Sequence, residues 1–189
     1  MPRPRRFAAG QMEDTKTLNA LALALISTPR ANLQELAKAA GISKATLYRM
    51  FRTREELIAR LSQRAMAAIA GVLESAGLET APPEEALRRL IEKHLEHREL
   101  TIFLWYYWKD APIDTAAAES WDAAMDAFFL RGQQMGVFRI DISAQALTEV
   151  LICTIGGLID AERRGRVARL GQAAAIESIF LDGAAVRPR

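Results

Sequence analysis

Lys44, Thr46, Tyr48 and Arg49 fall within six residues of one another, and each offers a hydrogen-bond donor that can meet a phosphate or the edge of a base. Ala45 stands among them with a bare methyl group, which suits contact with a thymine methyl. Leu47 and Phe51 are four apart and so share one side of a helix. That spacing predicts a short rod with its apolar side buried and its donors outward. So short a helix adds little structure of its own, and a rod with that exposed set is a good probe of a DNA major groove. Two duller readings stand beside this one: Lys44 as a solubility charge, and Tyr48 as a half-buried packing residue.

Such a rod reads a groove only if other elements hold it. Upstream, Leu33, Leu36, Ala37 and Ala40 repeat at helical spacing, and Asn32 precedes Glu35 by the three residues of a reciprocal N-terminal cap. Gly41 then permits the positive φ of a sharp turn, Ile42 plugs the corner, and Ser43 caps the rod. Downstream, Thr53 and Glu56 repeat the capping pattern at the start of a long helix running to about Ala76. At ~1.5 Å per residue it extends roughly 35 Å, enough to leave the first unit and enter the next. A brace precedes all of these: a helix from Asp14 carrying Leu18, Leu21, Ala22 and Leu25 on one face, stopped around Pro29. Residues 1–12 mix Pro, Arg and Gly and are expected to form a mobile arm. Its Arg3, Arg5 and Arg6 either reach a minor groove or phosphates, or remain solvated.

The stretch SKATLYRMFRTREELI, following LAKAAGI, resembles the helix-turn-helix of the TetR family of bacterial transcriptional regulators. The match lies in the small residue and Thr before Leu-Tyr, the Phe three after the Tyr, and the capped, charged start of the next helix. Met50 departs from the His common at that place, and Arg54 stands where Lys is frequent. The resemblance implies that Tyr48, Asn32 and Arg54 support the phosphate backbone; by their own chemistry Lys44 and Arg49 suit guanine or phosphate, and Thr46 a base edge or phosphate. It also implies a homodimer on a palindromic double-stranded operator, commonly a repressor, and a small molecule entering the second domain to release the DNA.

The remainder reads as helices. GLETAPP, Gly77 to Pro83, is the clearest break, and Glu84 and Glu85 then suit a helix start. Leu87, Leu90, Ile91 and His94 follow on one side, then the aromatic segment LTIFLWYYW, a break at Ala111-Pro112, and a long helix from about Thr115 to Met135. Phe103, Trp105, Tyr106, Tyr107, Trp108, Trp121, Met125 and Phe128, with His94, are the candidates to line an apolar or aromatic effector pocket; each could equally be core, and His94 a satisfied core histidine. Ser143 caps a helix through Leu147, Val150, Leu151, Thr154, Ile155 and Leu158, in which Gly156 and Gly157 cost helix propensity and suggest close approach of another helix. A last helix occupies about 170–182. These two are too apolar to stand with one dry side, so a four-helix interface between two copies is expected.

The expected fold is therefore all-α, with about nine helices: an arm (1–12), a three-helix helix-turn-helix domain (13–55) and a helical regulatory and dimerisation domain (56–189). Charge agrees with that division. Residues 1–75 carry 12 Lys and Arg against 6 Asp and Glu, whereas the rest carry 13 against 17. Phosphates attract the first part and are repelled by the second. The longest apolar run, around Leu147 to Ile159, is interrupted by Thr148, Glu149 and Thr154, so no membrane partner is expected, and MPRPRRF lacks the apolar core of a secretory signal. The single Cys153, read as a small core residue, forms no internal disulfide and fits a reducing cytoplasm.

Catalysis is the weaker alternative. His94-x-x-His97 offers two imidazoles one helical turn apart, but no second ligand cluster stands out, so neither a metal nor a cofactor is expected. A helical interaction module that no longer reads DNA is the other alternative, resting only on Met50.

Overall fold

The computed structural model describes residues 5–108 and 114–185. Among these residues there are nine helices and no strand beyond one isolated bridge, Phe138 with Ala185. They are α1 (Arg5–Ser27), α2 (Leu33–Ala39), α3 (Lys44–Met50), α4 (Arg54–Ala76), α5 (Pro83–Glu96), α6 (Arg98–Tyr107), α7 (Thr115–Gln134), α8 (Ala144–Arg163) and α9 (Gln172–Ala184). The first helix starts earlier than the sequence suggests: its backbone is helical from Arg5, so residues 5–12 are the first turns of the brace rather than an arm. Arg3, the rest of that arm and the break at Ala111-Pro112 lie outside the described residues.

α1 buries Leu18, Leu21, Ala22, Leu25 and Ile26 and packs on both α2 and α6. α4 is the shaft between the two halves. Leu57, Ile58 and Leu61 enter the core near its start, while Ala65, Ile69, Val72 and Ala76 serve the part that packs on α5, α6 and α7. Arg64 of α4 donates to the Thr15 hydroxyl of α1 at 2.8 Å, tying shaft to brace. Gly77 ends the shaft at φ 71°, a left-handed conformation that strains a side-chain-bearing residue.

Around the shaft, α5 to α9 form a bundle whose aromatic centre is Phe128, Phe129, Phe138 and Phe180, with ring centroids 5.0–5.8 Å apart. α8 is central to it, packing on α5, α6, α7 and α9. Its length and apolar composition would also suffice to cross a membrane, unlike the sequence expectation. Here, however, its buried stripe of Leu147, Leu151, Ile155 and Ile159 faces other helices, and its Asp160 is held by Arg163 and Arg164. Val150, 53% exposed on α8, and Ile179, 60% exposed on α9, lie on the free side of this pair.

Candidate nucleic-acid interface and effector cavity

The helix-turn-helix is built by caps. The Asn32 side chain accepts from the Glu35 amide at 3.0 Å while the Glu35 carboxylate accepts from the Asn32 amide at 2.8 Å. Gly41 makes the turn at φ 69°, and the Ile42 amide closes it on the Ala37 carbonyl at 3.0 Å. Ser43 Oγ accepts from the Thr46 amide at 3.0 Å and lies 2.8 Å from the Thr46 hydroxyl. Thr53 Oγ1 accepts from the Glu56 amide at 3.1 Å, and Glu56 reaches back to the Arg52 amide at 2.7 Å, one residue beyond the usual reciprocal pattern.

With Leu47 and Phe51 buried, Lys44, Ala45, Tyr48 and Arg49 are exposed on α3 and Thr46 is partly so. Tyr48 is 46% exposed, and its ring has Lys44 Nζ 5.6 Å from its centroid. Lys44 also donates to Gln34 Oε1 at 3.0 Å, a partner the sequence reading did not name. Arg54 faces inward more than expected: one guanidinium nitrogen donates to the Pro29 carbonyl at 2.6 Å, and its Nε is buried without a partner. It fastens the start of α4 to the α1–α2 turn. Asn32 remains exposed at the start of α2.

In the bundle, a cavity of about 600 Å³ opens between α4, α5, α6, α7 and α8. Of the sequence candidates, His94, Trp105, Tyr106, Trp108 and Trp121 line it. The other four candidates are not among its lining residues. Phe103 and Tyr107 stack at 4.9 Å on another side of α6, where the Tyr107 hydroxyl donates to the Leu25 carbonyl of α1 at 3.3 Å. Met125 and Phe128 are in the core. The reason is helical angle: residues 101, 104 and 105 of α6 and Trp108 just past its end share the side that faces the cavity, Tyr106 reaches it from the edge of that side, and residues 103 and 107 face away. Thr101, Asp122, Thr148 and Glu149 complete much of the lining unforeseen. Asp122 beside Trp121, and Thr101 four before Trp105, were the available signals. Cys153, expected in the core, is exposed and lines the same space.

Gly156 explains how Trp105 fits. A Cβ at that position would lie 2.6 Å from the Trp105 ring, so the close approach is by an indole rather than by another helix. Tyr106 is held by its hydroxyl, which donates to Asp160 at 2.9 Å, and by the Arg163 guanidinium 5.9 Å from its ring centroid. Burial opposes ionisation of Asp160, but hydrogen bonds from Arg163, Tyr106 and Arg164 outweigh it and hold the carboxyl below its ordinary range. His94 is 2% exposed. Burial, with a smaller push from His97, lowers its imidazole from 6.5 to about 4, so it is neutral at pH 7. No cluster of three or more potential metal ligands occurs among the described residues.

A capped, exposed α3 on a three-helix support, joined by a continuous shaft to a helical bundle, defines a helix-turn-helix DNA-binding protein. Residues 22–61 match the family model described as bacterial regulatory proteins, tetR family. Over 175 residues the chain is 47% identical to the HTH-type transcriptional regulator NfxB of Pseudomonas aeruginosa, covering 90% of this chain and 94% of that one. It is 30% identical over 100 residues to the HTH-type transcriptional repressor LfrR of Mycolicibacterium smegmatis, about half of each chain. The crystal structure of LfrR from Mycobacterium smegmatis in complex with proflavine superposes with a TM-score of 0.66 at 23% identity, covering 93% of this chain and 97% of that one. The chain belongs to the TetR family and is a transcriptional regulator, not an enzyme.

Proposed function

We propose that this regulator is a repressor that binds a palindromic double-stranded operator as a homodimer and leaves it when a small aromatic effector enters the cavity. The observation that carries the reading is α3 itself, seven residues long, with Leu47 anchored and Lys44, Ala45, Tyr48 and Arg49 outward. Lys44 and Arg49 donate to guanine or phosphate, Ala45 meets a thymine methyl, and Thr46 bonds an edge or a phosphate. Tyr48 and Asn32 support the backbone; Arg54 contributes by fixing the turn before α2. Residues 13–55 then form the DNA-binding domain and residues 56–189 the regulatory one. A protein working on chromosomal DNA belongs in the cytoplasm. The repressor sign rests on LfrR's being named a repressor and on the family's commoner behaviour.

The dimer is supported by the free side of α8 and α9. Val150, Thr154, Gly157, Leu158 and Ala161 recur at helical spacing there, and nothing lies within 4 Å of a Cβ placed on Gly157, which leaves room for a partner helix. One α3 covers only a few base pairs, so useful specificity needs two, with half-site centres about 34–36 Å apart. LfrR was solved with proflavine, which favours an aromatic effector here. Coupling has a physical route, because α6 walls the cavity and also grips the brace through Tyr107 to Leu25 and Asn19 to Glu99, the latter at 3.4 Å. An effector that fits one setting of α6 better than another shifts the population of DNA-competent dimers.

Selection of bound duplexes from a random pool tests the reading directly, with a palindrome expected. Val150→Glu with Ile179→Glu should yield monomers with at least a 100-fold loss of operator affinity; monomers that bind as tightly as the parent would overturn the dimer requirement.

A further inference from the structure

Two acidic side chains, Asp122 of α7 and Glu149 of α8, line the cavity, and no Lys or Arg is among its described lining residues. Neither forms an ion pair among the described residues. The charges acting on Asp122 are all of its own sign: burial raises its carboxyl first, then Asp126, Glu149 and Glu119 add to the effect. Uncompensated negative charge beside Trp105, Trp108, Trp121 and Tyr106 is an environment in which a cation is attracted both by carboxylates and by aromatic faces.

An independent feature lies at the buried end. His94 Nδ1 is 3.4 Å from the Thr101 hydroxyl oxygen, and that hydroxyl donates its only proton to the His94 carbonyl at 3.1 Å. The oxygen can therefore only accept, which places the imidazole proton on Nδ1 and leaves Nε2 a bare acceptor. Nε2 is buried and has no hydrogen-bond partner. Such an atom costs free energy until a donor reaches it.

We infer that the cavity takes an aromatic organic cation bearing an N–H group, with Asp122 and Glu149 answering its charge, the tryptophans its ring and His94 Nε2 its donor. This deepens the effector reading, on which its regulatory meaning rests. Trp121 Nε1, a second buried atom without a partner, supplies a donor for any acceptor on the same ligand.

Three probes sharing one ring system separate the contributions: aminoacridine (a cation with N–H donors), N-methylacridinium (a cation without one) and acridine carboxylate (an anion). Binding to the full chain is read by tryptophan quenching at one ionic strength. Aminoacridine should bind about tenfold more tightly than N-methylacridinium, the equivalent of one hydrogen bond, and both at least tenfold more tightly than the anion. Asp122→Asn with Glu149→Gln should erase the preference over the anion. His94→Phe should erase the difference between the two cations while leaving N-methylacridinium within about twofold. Thermal melts establish that the variants are folded, and the order of the three probes on the unaltered chain is a test that needs no variant. An anion bound as tightly as the cations, or cations ranked equally, overturns the inference. Operator release is measured separately: ordered binding without release leaves the ligand class standing and defeats the effector role.

Discussion

In the helix-turn-helix, each helix start from α2 to α4 is fixed by side chains within four residues of it: Asn32 with Glu35, Ser43 with Thr46, Thr53 with Glu56. The cavity is fixed across long distances in the chain, by Trp105 against Gly156, Tyr106 against Asp160, and Thr148 bonded to Asp126 at 2.8 Å. The first region is rigid through its own local chemistry and meets its ligand outside the molecule. The second is held by packing and hydrogen bonds between helices, so a ligand placed among them competes with those contacts. The proposed release of DNA gains from this difference, since it needs a reading head that keeps its shape on a mounting that can shift.

The comparison breaks most visibly at α3. Lys44→Ala with Arg49→Ala should weaken operator binding by about 2–6 kcal/mol per half-site and leave probe binding in the cavity unchanged. Fluorescence anisotropy with labelled operator measures the first and tryptophan quenching the second. Equal losses in both would show that the two regions are not separate.

The cavity side is tested next by pH. The folded imidazole of His94 is lowered to about 4 against an ordinary 6.5, so its contribution is complete above about pH 6.5. As pH falls towards 4 the unfolded chain takes up the proton first, and stability on the order of 3 kcal/mol is lost. Urea melts between pH 7 and 4 should show this slope, and His94→Phe should flatten it.

Gly156→Ala probes the packing at Trp105. The added Cβ forces the indole away from α8, with an expected cost of about 1–3 kcal/mol and a changed tryptophan spectrum. Unchanged emission and unchanged stability would show that Trp105 is not held there. The smallest effect belongs to a cap: Ser43→Ala should cost about 1 kcal/mol, with a proportionate loss of operator affinity because α3 frays. A melt that did not move would show that α3 is held by Leu47 and its neighbours rather than by its first turn.

Leu33, Leu36, Gly41, Ser43, Leu47 and Phe51 specify their own region, and the expected helices, turn and caps there agree with the structure because caps and helical faces depend on residues three or four apart. The ends of α4, α7 and α8 were legible for the same reason, with Gly77, Gly136 and Ser143 as their signals. The start of α1 was not, since residues 5–12 carry no cap or stripe to mark it. Lys44's tie to Gln34, and Arg54's to Pro29, join separate helices or turns and leave no periodic trace.

The sequence by itself determined most of the helices, the first turns of α1 excepted, and which side of α3 is free. Tertiary structure alone decided which aromatic side chains form the core and which the cavity. Phe103 and Trp105 are equally apolar and two positions apart, and hydrophobicity cannot separate them. What does so is the roughly 200° between them around α6. That turn sends one ring into the core and the other against a glycine 51 residues further on.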